Sequence, residues 1–100
     1  MSLHAVIYRY ADDPARLDEH RPRHKDYLAS LFEQGRIVIS GPLTSGGPGA
    51  LLIVDADDTD HVARLLDQDP FWSLGLIADR QIRGWAPFFG AAKLDPPAAG

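Results

Sequence analysis

Residues 36–54, RIVISGPLTSGGPGALLIV, contain the two segments that decide the fold. RIVIS (36–40) and ALLIV (50–54) are short and rich in β-branched residues, which predicts two strands, and the glycine- and proline-rich stretch between them predicts turns. A sheet with one face in water normally alternates apolar and polar residues, and neither segment does. Neighbours such as Ile37 and Val38 point to opposite faces and are both apolar. We therefore expect both faces of the sheet to be covered.

The segments on either side of this pair predict one strand and one helix each. Pro22 lacks a backbone N–H and disfavours helix at the residue before it, so the first helix should start or kink there, after a helical turn over 14–20, and stop at Gly35. The predicted order is strand 3–8, helix from Pro22, strands 36–40 and 50–54, helix 58–68 and strand 77–88. This is the split βαβ, or ferredoxin-like, α+β pattern: an antiparallel four-stranded sheet with both helices on one face. We expect one domain over residues 1–90 and a C-terminal tail over 91–100.

The face without helices needs another cover, and a second copy of the chain is the simplest one. The pattern therefore predicts a homodimer that associates through this face. The alternative is an apolar strand pair that only the C-terminal tail protects.

Composition limits the possible functions. The 100 residues are 45% hydrophobic and 24% charged, as in an ordinary globular domain, and include no cysteine, which excludes disulfides, thiolate catalysis and cysteine-based zinc sites. The net charge of −4 argues against a nucleic-acid partner. No apolar run is long enough to cross a membrane, and the first ten residues are too short and polar for a signal peptide, so we expect a cytoplasmic protein without a membrane partner.

Basic residues concentrate in EHRPRHKDYL, residues 19–28, at the predicted helix start. Cations are mildly unfavourable there, because the helix dipole is positive at its N-terminus. The cluster is either a set of solvated charges or a site for an anion and a proton. His24 shares the inward face of Leu28 and Leu31 by its spacing, and histidine transfers protons near neutral pH. The alternative is a buried histidine that one carbonyl satisfies.

A metal site is not predicted. His20 and His24 lie four residues apart, but Pro22 lies between them, and neither an HExxH motif nor a third ligand is evident. No cofactor is predicted either, because the sequence has no Walker loop and no dinucleotide-binding fingerprint.

Two further segments carry candidate site residues. In DQDPFW, residues 67–72, Asp69 precedes a proline, so its extended backbone could aim the carboxylate at an imidazole, while Phe71 and Trp72 offer aromatic surface. The alternative is a turn acid followed by two core aromatics. In SGP, Ser40, Gly41 and Pro42 end a strand with a hydroxyl and a glycine that permits close approach to a ligand. The alternative is a simple turn.

Taken together, RPRH at a helix, GRIVISGP in the following strand and DQDPFWSLGL after the second helix resemble the YciI-like (YCII-related) family over residues 4–88. The resemblance implies a ferredoxin-like fold that dimerises sheet to sheet, as in the dimeric α+β barrel superfamily. It also implies an active site with a histidine–aspartate pair, which corresponds here to His24 and Asp69. Arg21 matches the arginine of the same motif, and the SGP segment matches the strand-end signature of the family.

One branch of the family is similar to a cofactor-free dehydrochlorinase that acts on a chlorinated hydroxyhydroquinone, and the superfamily includes muconolactone isomerases. The resemblance therefore implies a lyase or isomerase for a small cyclic or aromatic acid or phenol. In it, His24 would be the acid or base, Asp69 would orient it, and Arg21, with the helix N-terminus, would hold an anionic group of the substrate. The alternatives are a non-catalytic ligand-binding or accessory module, and a purely structural dimer that has no cleft near His24.

Overall fold

The computed structural model describes residues 2–94, whose strands form one antiparallel sheet. The sheet order is β2-β3-β1-β4, so the first strand lies between the third and the fourth. This is the predicted ferredoxin-like α+β arrangement. The elements, in chain order, are β1 (Leu3–Tyr10), α1 (Pro14–Glu33), β2 (Ile37–Pro42), β3 (Gly49–Asp55), α2 (Thr59–Asp67), α3 (Pro70–Ser73), β4 (Ile77–Gly84) and a 3₁₀ turn (Ala91–Leu94).

The first helix begins eight residues earlier than the sequence predicts, at Pro14, and continues through Pro22. Asp13 caps it, because its carboxylate accepts a hydrogen bond from the backbone N–H of Arg16 at 3.2 Å. Pro22 removes one backbone hydrogen bond within the helix. Packing offsets this loss, since the buried residues of α1 recur every seven positions along one face, at Leu17, His24 and Leu31. A helix start at Pro22 is therefore wrong, the predicted turn over 14–20 is the first part of the same helix, and a kink at Pro22 stays a prediction.

The end of α1 confirms the predicted stop at Gly35. Gly35 has φ +78°, the left-handed conformation that glycine adopts without strain. Its N–H donates to the carbonyl of Phe32 at 3.0 Å, and the N–H of Arg36 donates to the carbonyl of Leu31 at 2.9 Å. This pair of bonds is a Schellman motif, which satisfies the last helical carbonyls and leads the chain directly into β2.

The main core lies between the sheet and the helices. Residues on the helix-facing side of β1 and β3 alternate with outward-facing ones, and Val6 lies opposite Leu52 in the strand register. The fully buried aliphatic residues of this layer, with 0% exposure, are Val6, Leu52, Val54, Val62 and Leu66. The hydrophobic effect across this interface stabilises the fold and places α1 and α2 side by side.

The opposite face of the sheet is also apolar, as the strand patterns predict. Ile7 of β1 lies opposite Leu51 of β3, and Ile39 of β2 lies opposite Ile53. Ile7, Ile39 and Leu51 remain 37%, 54% and 39% exposed. The described chain therefore leaves this face uncovered in part, at Ile7, Ile39 and Leu51, although Ile53 is only 6% exposed, and we call the face opposite the helices the outer face.

Several element boundaries differ from the predictions. The last strand ends at Gly84 rather than 88, after which the N–H of Trp85 donates to the carbonyl of Leu3 at 2.9 Å. A short helix, α3, follows α2 where only a break was predicted. Ala91–Leu94 form a 3₁₀ turn, so the predicted tail is ordered at its start, and its remainder, 95–100, lies outside the described residues.

Candidate functional site

A cleft of about 560 Å³ opens between α1 and the β2–β3 half of the sheet. Volumes of this size are typical of sites for small molecules. The interpretation as a purely structural dimer predicts no cleft beside His24, yet His24 lines this cleft. The lining residues are Tyr10, Arg21, His24, Lys25, Leu28, Ala29, Phe32, Ser40, Gly41, Pro42, Ala50 and Leu52.

His24 is 5% exposed and contacts a carboxylate behind the cleft wall. Its Nδ1 lies 2.8 Å from both Oδ1 and Oδ2 of Asp69, although the two residues are 45 positions apart. Asp69 is 0% exposed, and its Oδ1 also accepts a hydrogen bond from the backbone N–H of Phe71 at 2.9 Å. Burying a carboxylate is costly unless it is paired and hydrogen-bonded, and both conditions are met here.

The local sequence explains the direction of the Asp69 carboxylate. Asp69 precedes Pro70 and has the extended backbone that such a position favours, with φ −65° and ψ 126°. Pro70 occupies the first turn of α3, which suits a residue without an N–H, and Asp69 is the N-cap of that short helix. The aspartate–proline pair therefore ends one helix, caps the next and turns the carboxylate towards α1.

Aromatic rings fix the orientation of the His24 imidazole. The Phe71 ring stacks on it with a centroid distance of 3.9 Å and an interplanar angle of 6°. Tyr10 presents its ring edge-on to both, at 6.3 Å from His24 and 5.5 Å from Phe71. The imidazole is thus held by a hydrogen bond at one nitrogen and by packing on its faces, which leaves little rotational freedom.

This arrangement decides which ring nitrogen can accept a proton. An ionised carboxylate only accepts hydrogen bonds, so Nδ1 of His24 must carry the hydrogen that Asp69 receives. In the neutral ring the lone pair then resides on Nε2. Among residues 2–94 the recorded hydrogen bonds of His24 involve only Nδ1. The geometry therefore prepares Nε2 to act as a base.

Positive charge lies at one side of the cleft. Arg21 and Lys25 are one helical turn apart, and both line the cleft. Arg21 also forms an ion pair with Asp18, three residues earlier. Because α1 begins at Pro14, Arg21 lies two turns inside the helix, so the expected contribution of the helix N-terminus to anion binding there is wrong.

Burial also affects two tyrosines near the pair. It raises the pKa of the Tyr10 hydroxyl above its usual value, and the Asp69 carboxylate raises it further, while Arg21 opposes both. Burial raises the pKa of Tyr8 strongly, and Asp69 adds to this. The Tyr8 hydroxyl is fully buried and has no hydrogen-bond partner in the described part of the chain. Both phenols therefore stay neutral at physiological pH.

The structure brings most of the predicted site residues together. Arg21, His24 and the SGP segment (40–42) line the cleft, and Asp69 lies directly behind His24. Gly41 has an ordinary negative φ, and a Cβ there would meet nothing within 4 Å, so neither strain nor crowding requires a glycine.

The two predicted aromatics do not line the cleft. Phe71 is 0% exposed and supports His24 from the core, whereas Trp72 is 37% exposed and lies under the guanidinium of Arg80, at 3.6 Å from the ring centroid. The two side chains diverge, as expected of neighbours, but the structure shows no surface of either one inside the cleft. Direct contact of either ring with a ligand stays a prediction.

Among the cleft residues that were not predicted as site residues, one is charged and two are aromatic: Lys25, Tyr10 and Phe32. The predicted first strand stopped at Tyr8, and continuing the alternation for two more residues would have placed Tyr10 on the same face. Lys25 follows Arg21 by four positions, a spacing that places two cations on one side of a helix. Phe32 is 59% exposed, but its position next to Leu31 and four residues after Leu28 is typical of the inward, apolar face of a helix.

Within residues 2–94, no group of three or more His, Cys, Asp or Glu side chains is arranged to hold a metal ion. His20 instead lies beside Arg23, with 2.6 Å between Nδ1 and the guanidinium. None of the described helices is long and apolar enough to span a membrane.

Comparison with known proteins identifies a family and several similar solved structures, two of which are described below. The model of the YCII-related domain matches residues 2–86. The chain is similar to 5-chloro-2-hydroxyhydroquinone dehydrochlorinase from Burkholderia phenoliruptrix AC1100, which was solved in complex with 2,5-dihydroxybenzoquinone. The two sequences are 28% identical, the match covers 83% of this chain and 93% of the dehydrochlorinase chain, and the TM-score is 0.62. An uncharacterized NIPSNAP domain protein from Burkholderia xenovorans shares the fold, with 18% identity, coverage of 91% and 98%, and a TM-score of 0.57. No curated protein matches the chain.

Proposed function

Since this chain belongs to the YCII-related domain family, we propose that it is a cofactor-independent lyase or isomerase acting on a small cyclic or aromatic acid or phenol. The observation that carries the proposal is the contact between His24 and Asp69 in the wall of a cleft. A histidine whose Nδ1 is held by a buried carboxylate is a typical general base, and such a base contributes roughly 10²- to 10⁴-fold to a reaction rate.

In the proposed reaction, Nε2 of His24 removes a proton from the bound substrate. The resulting imidazolium is stabilised by Asp69, whose carboxylate is already in place and needs no rearrangement. The same nitrogen can return the proton at another atom, which gives isomerisation, or the electron pair can expel a leaving group, which gives elimination.

The cleft supports the proposed substrate class. Arg21 and Lys25 provide cations for an acidic substituent, and Ser40 lines the opposite wall. The remaining lining is mostly apolar and includes Leu28 and Phe32, as expected for a site that receives a ring. The similar dehydrochlorinase was solved with a dihydroxybenzoquinone, so a hydroxylated six-membered ring is the first ligand to test.

We further propose that the protein is a homodimer associating through the outer face, and that it is cytoplasmic. If Ile7, Ile39 and Leu51 lost their remaining exposure on association, the hydrophobic gain would be roughly 2–4 kcal/mol per copy, from about 1.5–3 kcal/mol for each fully buried aliphatic side chain. Exposed apolar side chains that lie together on one face are typical of protein–protein interfaces, because leaving them in water is unfavourable.

The test compares two histidine variants on the same helix. His24→Gln removes the proposed base, whereas His20→Gln changes a histidine that does not line the cleft. Binding is measured with 2,5-dihydroxybenzoquinone. Turnover is measured with 5-chloro-2-hydroxyhydroquinone, and the release of chloride reports the rate. We expect turnover in the wild type and in His20→Gln, and a loss of at least 100-fold in His24→Gln, the lower end of what a general base contributes.

The other outcomes separate the alternatives. Saturable binding without turnover in the wild type would identify a non-catalytic binding module. Equal activity of both variants would contradict the role of His24, and absence of both binding and turnover would reject this substrate class.

A further inference from the structure

Tyr10 occupies a fixed position beside His24. It is the last residue of β1, where the pairing with β4 shifts register. Its backbone N–H donates to the carbonyl of Pro48 at 3.0 Å, and the next N–H, that of Ala11, donates to the carbonyl of Leu76 at 2.8 Å. With the backbone held from both sides and the ring packed edge-on against His24 and Phe71, the side chain has a defined direction.

The hydroxyl of Tyr10 differs from those of the other two tyrosines. The Tyr27 hydroxyl donates to the carbonyl of Leu65 at 2.6 Å, and the Tyr8 hydroxyl is enclosed in the core. Tyr10 lines the cleft, and its hydroxyl forms no hydrogen bond with another residue within 2–94. Because this hydroxyl is not among the fully buried polar atoms that lack a partner, it is accessible from the cleft side of the chain. It is thus a hydrogen-bond donor available to a ligand next to the proposed base.

The proposed proton transfer requires such a donor. When His24 takes a proton from a carbon next to a carbonyl group, the C–H bond breaks and an N–H bond forms at Nε2. The C–H electron pair becomes a C=C bond, and the carbonyl π pair moves onto oxygen as an enolate. The imidazolium is balanced by Asp69, so the new negative charge on the substrate oxygen needs its own partner.

We infer that Tyr10 is a further catalytic residue whose hydroxyl donates a hydrogen bond to this oxyanion, and that the substrate is accordingly an enolisable carbonyl compound or its phenol tautomer. This inference rests on the proposed function. Arg21 is less suited to the role, because with Lys25 it is proposed to bind the acidic substituent of the substrate. A neutral phenol also avoids placing another cation beside the imidazolium.

The state of the Tyr10 hydroxyl agrees with this role. Burial raises its pKa, with Asp69 adding to the shift and Arg21 reducing it. A phenol with a raised pKa keeps its hydrogen throughout the neutral range and remains a donor, whereas an ionised tyrosine would repel the oxyanion.

The experiment uses phenolates as stable mimics of the oxyanion. Para-nitrophenol is titrated with the full-length protein, and the absorbance of the phenolate reports its ionisation when bound. Tyr10→Phe keeps the ring that packs on His24 and removes only the oxygen. Tyr27→Phe is the matched control, because it removes a hydroxyl that bonds to a backbone carbonyl.

We expect the wild type and Tyr27→Phe to bind the phenolate form preferentially and to lower the pKa of the bound phenol. In Tyr10→Phe, binding of the phenolate should weaken by about 10- to 100-fold, the range for a hydrogen bond to a charged group. The loss should grow across a series of phenolates of increasing basicity, which a merely structural role of the ring would not produce. Where turnover is measurable, kcat should fall more than KM rises.

Two outcomes would overturn the inference, and they are distinguishable. If the wild type binds no phenolate, the proposed substrate class and the inference fall together. If the wild type binds phenolates and Tyr10→Phe binds them equally well at every basicity, the proposed function stands and Tyr10 is not the oxyanion donor.

Discussion

Replacing Asp69 with asparagine should invert the tautomer of His24. Asp69 accepts two hydrogen bonds, one from Nδ1–H of His24 and one from the backbone N–H of Phe71. In Asp69→Asn the single amide oxygen is expected to keep the fixed backbone donor. The amide NH₂ then faces Nδ1, which can only accept, so the ring hydrogen moves to Nε2.

The size of the effect follows from the number of bonds that change. Asp69→Asn replaces one bond between an ionised carboxylate and His24 by a neutral one, which should cost about 1.5–3 kcal/mol of the free energy of unfolding at most. Asp69→Ala leaves both donors unpaired in a site with 0% exposure, and we expect about 3–5 kcal/mol, the range for breaking a buried pair. Because Nε2 carries the hydrogen in Asp69→Asn, proton abstraction should fall by roughly 10²- to 10⁴-fold although the fold persists.

The assay needs no substrate. Long-range ¹H–¹⁵N correlation spectra of imidazole-labelled protein distinguish Nδ1–H from Nε2–H, and a pH titration identifies the range in which the ring is neutral. The wild type should show Nδ1–H for His24, and Asp69→Asn should show Nε2–H, while urea unfolding gives the stability of each. An Nε2–H tautomer in the wild type, or an unchanged Nδ1–H in the folded asparagine variant, would refute the geometric argument.

Three further predictions concern the rest of the molecule. Light scattering of the wild type should give about 22 kDa, twice the 11.0 kDa of the chain. Leu51→Asp on the outer face should give a monomer by light scattering that is still folded by circular dichroism, and a monomeric wild type would reject the dimer. Leu66→Ala should lower the free energy of unfolding by about 2–5 kcal/mol in urea, since Leu66 is 0% exposed, and a loss below about 1 kcal/mol would mean that the core relaxes around the gap. Burial raises the pKa of Tyr8 in the folded state above its unfolded value near 10, so the stability that its neutral hydroxyl contributes is complete below about pH 10 and declines above it. Tyr8→Phe has no hydroxyl to ionise and should therefore unfold less readily than the wild type in alkali. Identical alkaline unfolding of the two proteins would contradict this assignment.

The order of strands and helices could be predicted from the sequence because each element carries a local signal. Gly35 ends α1 through its left-handed backbone, and RIVIS and ALLIV are apolar on both faces, which the exposed Ile39 and Leu51 illustrate. The continuity of α1 through Pro22 could not be predicted in the same way. Pro22 is a strong local signal against helix, and it is overruled by packing of Leu17 against residues distant in the sequence.

The candidate site shows a similar division. The resemblance to the YCII-related family indicated His24 and Asp69, and the side chains are in contact. The predicted helix start at Pro22 would place His24 at the beginning of α1, but His24 lies in the middle of this helix and meets the turn between α2 and α3. Tyr10 was missed because the predicted first strand stopped at Tyr8, two residues before the end of β1.

The separation of His24 and Asp69 along the chain also makes the pair a potential reporter of complementation. The connection between β2 and β3 is exposed at residues 43–48, and cutting it would leave His24 on one fragment and Asp69 on the other. Because β1 lies between β3 and β4 in the sheet, the fragments must interdigitate for the two side chains to meet. Ligand binding by the split chain would therefore measure the fraction of fragments that have reassembled correctly. The far-ultraviolet circular dichroism of either fragment alone would report only its local helix content.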